Sequence, residues 1–265
     1  MFAGFNLKVG EEISSYKEFG DQIYIAKKKQ VEQELESFIN SDGSIEGTKM
    51  QSNWFPQIEA DIFISHSHND EEKAICLAGW LKATFNLDAF IDSYVWGSAD
   101  ALLKKIDNKY CKNQGDSTYN YDKRNYSTSH VHTMLTTALA KMIDNTECIM
   151  FLNTPETICT SDIINQTKSP WIYLEIAMSQ LVRRTEPNRS LGIVKKAMFE
   201  ASEQLTINYN IDMQHLKDIN LRHLEEWKEI HQENNLKFLL SGYDKIHPLD
   251  SLYTEHGFIK GTVKA

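Results

Sequence analysis

Two short runs in this chain are apolar at every position. Ile62-Phe63-Ile64 and Cys148-Ile149-Met150-Phe151-Leu152 have no polar residue to turn toward water, so each reads as a strand buried on both faces, the pattern of a parallel sheet. Elsewhere the apolar positions recur at helical spacing. Ala74, Leu77, Ala78, Leu81 and Phe85 make one stripe; Val131, Met134, Leu135, Ala138, Leu139 and Met142 make another. Leu87 to Ile91 reads as a further strand, so strand, helix and strand follow one another closely from Ile62, as in a right-handed βαβ unit. The pattern places Ile62–Ser65 inside a mainly parallel sheet, between Ala89–Ile91 and Cys148–Leu152. Asn69 is expected to cap the first helix, with Glu72 three residues on. Ser169-Pro170 opens another helix, with Ser as N-cap and Pro in the first helical position. Its predicted buried stripe is Trp171, Leu174, Met178 and Leu181. Leu191 to Gln204 reads as helix. Leu205 to Ile211 alternates like a strand with one wet face, a later strand of the sheet, and Leu216 to Gln232 reads as one or two helices.

The flanks carry weaker signals. Residues 1–60 read as an N-terminal extension: Asp21 to Asn40 is helical in pattern, Ser41-Asp42-Gly43-Ser44 stops it, and a polar linker follows. Ser93 to Ser98 reads as a loop with exposed aromatic residues, Tyr94 and Trp96. Asp107 to His130 contains no Val, Ile, Leu or Met. It is expected to be an insertion loop, spanning 108–130, that is either solvated or a lid over a ligand. The division is therefore 1–60 as helical extension and linker, 61–185 as the α/β core with its insertion, and 186–265 as a part that completes and decorates that core.

Composition narrows the function classes. The apolar fraction of 41% and charged fraction of 25% are those of a globular chain. A net charge of -9 argues against nucleic acid or an anionic membrane as partner. No run approaches the length of a membrane span, and Met1 to Glu12 lacks the basic and apolar regions of a signal peptide. The four cysteines have no metal-type or C-x-x-C spacing, which suits a reducing, cytoplasmic setting.

Two clusters could carry chemistry. His66-x-His68-x-Asp70 follows a strand, as the H-x-H-x-D-H motif of metallo-β-lactamase-type hydrolases does, but Glu71 stands where that motif has its last His. With no second cluster to complete a zinc shell, no metal is expected there. The other cluster is Trp171-x-x-x-Glu175, two residues sharing one helix face. A carboxylate among Trp171, Ile172 and Met178, near a helix start and after a strand and loop, is placed to be tuned and to meet a ligand.

Taken together, these runs resemble the Toll/interleukin-1 receptor (TIR) domain family, in its bacterial NAD-cleaving form. Asp61 to His66 looks like the first box. Phe90-Ile91-Asp92 with the Tyr94–Ser98 loop looks like the second box and the BB loop. Cys148 to Asn153 followed by Ser169-Pro170-Trp171-x-x-x-Glu175 looks like the strand and helix bearing the catalytic glutamate. The resemblance covers roughly residues 60–185. It implies a flavodoxin-like fold, NAD+ as substrate rather than cofactor, and cleavage of the nicotinamide–ribose bond by Glu175. The sites for substrate would be Ser65, His66, Ser67, Asp92, Tyr94, Trp96 and Trp171. It further implies homo-oligomers through TIR–TIR contacts, with Tyr94-Val95-Trp96 as a contact patch, and, by analogy with Thoeris-type anti-phage defence, an effector protein that senses the product. The rival readings are a non-enzymatic TIR adaptor and a metal-dependent hydrolase.

Overall fold

A computed structural model describes residues 1–10, 12–28, 35–96, 99–113, 115, 117–155, 159–161, 164–167, 169–187, 209–241 and 246–259. The chain forms two compact units. The first comprises Met1–Gly20, Glu59–Phe90 and Ile143–Ala265; the second comprises Asp21–Ile58 and Ile91–Met142.

The first unit is built on a five-stranded, all-parallel sheet. In chain order its strands are β1 (Ala3–Lys8), β2 (Ile62–Ser65), β3 (Ala89–Phe90), β4 (Cys148–Leu152) and, after three short strands considered below, β8 (Lys217–Asn220). Across the sheet the order is β3-β2-β4-β1-β8. β2 pairs in parallel with β3 on one side and with β4 on the other, Ile64 opposite Met150 and Ser65 opposite Phe151. That is the expected neighbourhood, and the fold is α/β and flavodoxin-like, with helices flanking a parallel sheet.

Residues 1–60 are not all extension, however. β1 lies inside the sheet, between β4 and β8, with Ala3 to Leu7 fully buried. It takes the fourth place, which the flavodoxin order gives to a strand from later in the chain. Its Gly4 is a requirement of packing: a Cβ there would sit 2.6 Å from Leu216 Cδ2. The strand expected from Leu205 to Ile211 is also corrected. Leu205–Asn208 lies outside the described residues, as does the helix expected over Leu191–Gln204. Tyr209–Asn210 (β7) pairs antiparallel with Ile164–Thr167 (β6), which pairs antiparallel with Cys159–Ser161 (β5), in a separate small sheet. The later strand of the main sheet is β8, in a stretch read from sequence as helix.

The helix after β2 runs Glu71–Phe85 and is buried over most of its length. Asp70, not Asn69, is its N-cap, and no side chain caps it, because Asn69 belongs to a 3-10 turn, His68–Asp70. The helix ends with Asn86 in the left-handed region at φ 59°. Phe85 stacks on Trp227 of the helix Leu221–Ser241 with centroids 4.0 Å apart, and Trp80 closes on both.

The second unit is helical: Gly47–Trp54, Asp92–Val95, Ala99–Tyr110 and most of the helix Tyr121–Asn145 belong to it. The expected 108–130 loop is therefore half helix. Lys112 bridges to Tyr119, and Asn120 then caps the long helix by accepting the Lys123 N–H at 3.0 Å. Tyr121 to Tyr126 face water, so this first stretch needs no apolar stripe. Among the described residues no helix is long and apolar enough to cross a membrane.

Candidate active site at the carboxyl end of the sheet

The connections out of β2 and β4 diverge. β2 leads to β3 at one edge, and the next main-sheet strand after β4 is β8 at the other. Such a divergence opens a crevice outside the carboxyl ends of the two strands, the general position of ligand sites in open α/β sheets. Ser65 ends β2 at this point, and Asn153 and Thr154 follow β4.

Glu175 reaches the same place from the helix Pro170–Leu181. Ser169 caps that helix as expected, its Oγ accepting the Ile172 N–H at 3.3 Å, with Pro170 in the first turn. The Ser65 hydroxyl donates to Glu175 Oε2 at 2.5 Å, and both side chains are buried, Glu175 to 3% exposure. The carboxylate is thus enclosed by the fold. The helix is turned the other way from the predicted stripe: Ile172, Glu175, Ile176 and Ser179 face inward, Trp171, Leu174 and Met178 are half-buried, and Leu181 is 70% exposed. Apolar residues occupy every side of this helix, so hydropathy alone could not orient it. Its two polar inward residues both have partners. Ser179 Oγ donates to the Ile176 carbonyl and lies 2.7 Å from His215 Nε2. Burial pulls the His215 imidazole down to about 4, against the attraction of Asp212 and with the help of Arg184; it is neutral at pH 7.

A second buried carboxylate ties the loops of the crevice together. Asp70 accepts the hydroxyls of Ser67 (2.7 Å) and of Thr154 and pairs with Lys73 Nζ at 2.7 Å. The loop after β2 is thereby joined to the loop after β4 through one anion. His66 is buried with Nδ1 3.4 Å from the Ile64 carbonyl oxygen, while His68 is exposed. The structure thus brings Ser65 and Glu175 into contact and sets His66, Ser67 and Trp171 on the same strand end, loop and helix.

No family model, no curated protein and no solved structure matches this chain.

The remaining sequence candidates, Asp92, Tyr94 and Trp96, belong to the second unit. Asp92 opens the short helix Asp92–Val95, and its carbonyl accepts the Trp96 N–H at 2.8 Å. Tyr94 is half-buried, edge-on to Tyr24 at 5.7 Å. Trp96 is not an exposed loop residue. It is 2% exposed, packs against Phe55 at 5.6 Å, and donates its indole N–H to the Pro56 carbonyl at 2.8 Å. Tyr94-Val95-Trp96 is therefore no exposed contact patch; Val95 and Trp96 are core. Gly97 and Ser98 lie outside the described residues.

Sequence reasoning missed Asp70's partner Thr154, Ser179 and His215. In the sequence Asp70 stood only in the His66-x-His68-x-Asp70 run, beside Asn69 as the expected cap. It also missed a group at the opposite end of the sheet. Among the described residues, ligand atoms of Glu147, His247 and Asp250 lie within 4.8 Å of one another, as a metal site would require. His247 Nδ1, however, accepts the Leu249 N–H at 3.3 Å as a helix cap. A neutral imidazole used this way carries its proton on Nε2, so ligation through Nε2 would break the cap.

Proposed function

We propose that this chain is a TIR-type NAD+ glycohydrolase or ADP-ribosyl cyclase with Glu175 as its catalytic residue. The observation that carries the reading is the Ser65–Glu175 contact: a helix-borne carboxylate fixed at the carboxyl end of β2, beside the crevice where such sheets bind ligands. In the reaction the bond between ribose C1′ and the pyridinium nitrogen breaks. Its electron pair leaves with neutral nicotinamide, and positive charge develops on the ribose. No proton need reach the leaving group, so one carboxylate suffices, unlike the pair used on O-glycosides. A carboxylate about 4 Å from that charge, at an effective dielectric near 20, contributes about 4 kcal/mol. The Ser65 hydroxyl fixes one oxygen of Glu175. A carboxylate accepts up to about four hydrogen bonds, which leaves capacity for the ribose diol. Because Glu175 is buried, entry of NAD+ requires the loops after β2 and β4 to part, and the Asp70–Thr154 bond is the link between them. Attack by water gives ADP-ribose; attack by a group of the substrate itself or of a second acceptor gives a cyclic or conjugated product. The natural setting of such a reaction is the cytoplasm, in anti-phage signalling, with self-association and an effector that senses the product.

The adaptor reading is favoured by a different observation. Tyr173 and Leu181 of the same helix are exposed, and the Ser65–Glu175 bond could serve only to hold that helix. Incubating the full chain with NAD+ and identifying products by mass spectrometry separates the two. Nicotinamide release that Glu175→Gln abolishes supports the enzyme; intact NAD+ after prolonged incubation supports the adaptor.

A further inference from the structure

The second unit contains a cleft of about 770 Å³; among the described residues its lining belongs to that unit and shares none with the Ser65–Glu175 site. Its volume falls in the range of pockets that hold small ligands. One wall is the long helix, where Tyr126, His130 and Met134 stand four residues apart on one face. Gly47, Met50, Ile106 and Cys111 are among the other lining residues. Met50, Ile106 and Cys111 are buried, so the floor is apolar.

The buried charge beside the cleft, that of Asp107, is paired within the protein. Ser127, on the cleft wall, donates to Asp107 Oδ1 at 2.5 Å, and Arg124 Nε holds Asp107 Oδ2 at 2.9 Å. Burial pushes the Cys111 thiol up, so it remains a neutral S–H, 3.7 Å from Ser127 Oγ. Asp122, Lys123 and His130 of the lining are all exposed, and the first two are opposite in sign. At the mouth Tyr126 is 70% exposed with its ring edge-on to His130 at 4.5 Å, and Tyr110 is exposed as well. An apolar floor would desolvate a phosphate or carboxylate, and the lining's lysine, Lys123, is exposed beside Asp122 rather than on that floor. Exposed rings above a buried apolar floor offer stacking and methionine contacts to a flat molecule.

We propose that this cleft is a binding site for a small, uncharged aromatic molecule. The test uses N-phenyl-1-naphthylamine, an uncharged aromatic fluorophore, titrated against the full chain. Its emission should rise saturably with one site and a Kd on the order of 10–100 µM. Gly47→Phe places a ring in the cleft: a Cβ at Gly47 meets only Met134 Cε, at an ordinary 3.5 Å. This variant should bind at least about tenfold more weakly while melting like the parent. Met134→Trp fills the cleft from the long helix and should show the same loss, so the result does not depend on one variant folding. The sulfonated relative, 8-anilinonaphthalene-1-sulfonate, should bind about tenfold more weakly than the uncharged probe, because the apolar floor desolvates its charge. Non-saturable binding, or unchanged binding in both variants, overturns the site. Equal or tighter binding of the sulfonate overturns the ligand class.

Discussion

Replacing Glu175 by Gln keeps the shape of the side chain and removes its charge. The amide carbonyl can still accept the Ser65 hydroxyl that now meets Oε2 at 2.5 Å. The other oxygen becomes an NH2 in a side chain 3% exposed. If that amide finds no acceptor, stability falls by about 1–3 kcal/mol, the cost of a buried unsatisfied donor. The effect on turnover is larger. Most of the roughly 4 kcal/mol that a carboxylate contributes opposite the ribose cation disappears, and a rate loss of a few hundredfold, about 3–4 kcal/mol, is expected. The assay is nicotinamide release measured beside a melting curve, with Ser65→Ala as companion. That companion keeps the charge and deletes one charge-assisted hydrogen bond, costing about 1.5–3 kcal/mol of stability, and it should keep far more turnover than Glu175→Gln. If Glu175→Gln turns over NAD+ within about tenfold of the parent, or if the two variants lose turnover only in proportion to stability, Glu175 is a structural pin and the catalytic reasoning is wrong.

Three other outcomes follow from groups described above or close to them. Trp96→Ala should cost about 3–5 kcal/mol, as removal of a buried aromatic side chain does, and leave the oligomeric state of the folded protein unchanged; sedimentation showing dissociation without destabilisation would restore an assembly role. His215 is held neutral in the fold down to about pH 4, against an ordinary value of 6.5. Its stabilisation is present above pH 6.5 and is lost as pH falls toward 4, by at most about 3 kcal/mol; urea titrations of His215→Gln should show a shallower acid loss over that window, and an unchanged slope refutes the account. Burial and the neighbouring Glu226 raise Glu255 to about 7, so its contribution is complete below pH 4.5 and disappears as pH rises through 7. Glu255→Gln should therefore melt above the parent at pH 8 and close to it at pH 5; the reverse order would show that the carboxylate is stabilised there.

What could be read from sequence depended on how each element is buried. β2 and β4 are apolar at nearly every position because both faces are covered, and such runs need no periodicity to be recognised. The Ser169-Pro170 start was visible because a cap is local chemistry. β8 was invisible for the opposite reason: it is an edge strand, and three of its four residues, Lys217, Asp218 and Asn220, are exposed. β1 was hidden by Gly4 and Asn6, poor strand formers that the fold uses for close approach to Leu216 and for a hydrogen bond to Asp218. The burial of Trp96 depends on Phe55 and Pro56, some forty residues earlier, a contact no local window contains. Glu175 stood out in the sequence as a carboxylate in an apolar setting, but its partner Ser65 lies 110 residues away and could be placed beside it only by the fold.

The interior place of β1 sets a schedule for synthesis. This strand is made before each of its partners, yet Ala3 pairs with Cys148 and Phe5 with Lys217. At about 5–20 residues per second, roughly ten to forty seconds separate the emergence of β1 from that of β8. Until β4 is made the nascent chain carries a strand with both edges open, and until β8 is made one edge stays open, the kind of segment that pairs with whatever strand comes near. The sheet can close on its far side only when some 210 residues beyond β1 have been made. Growing chains of this protein are therefore expected to depend on ribosome-associated chaperones more than chains whose strands pair in the order they are made.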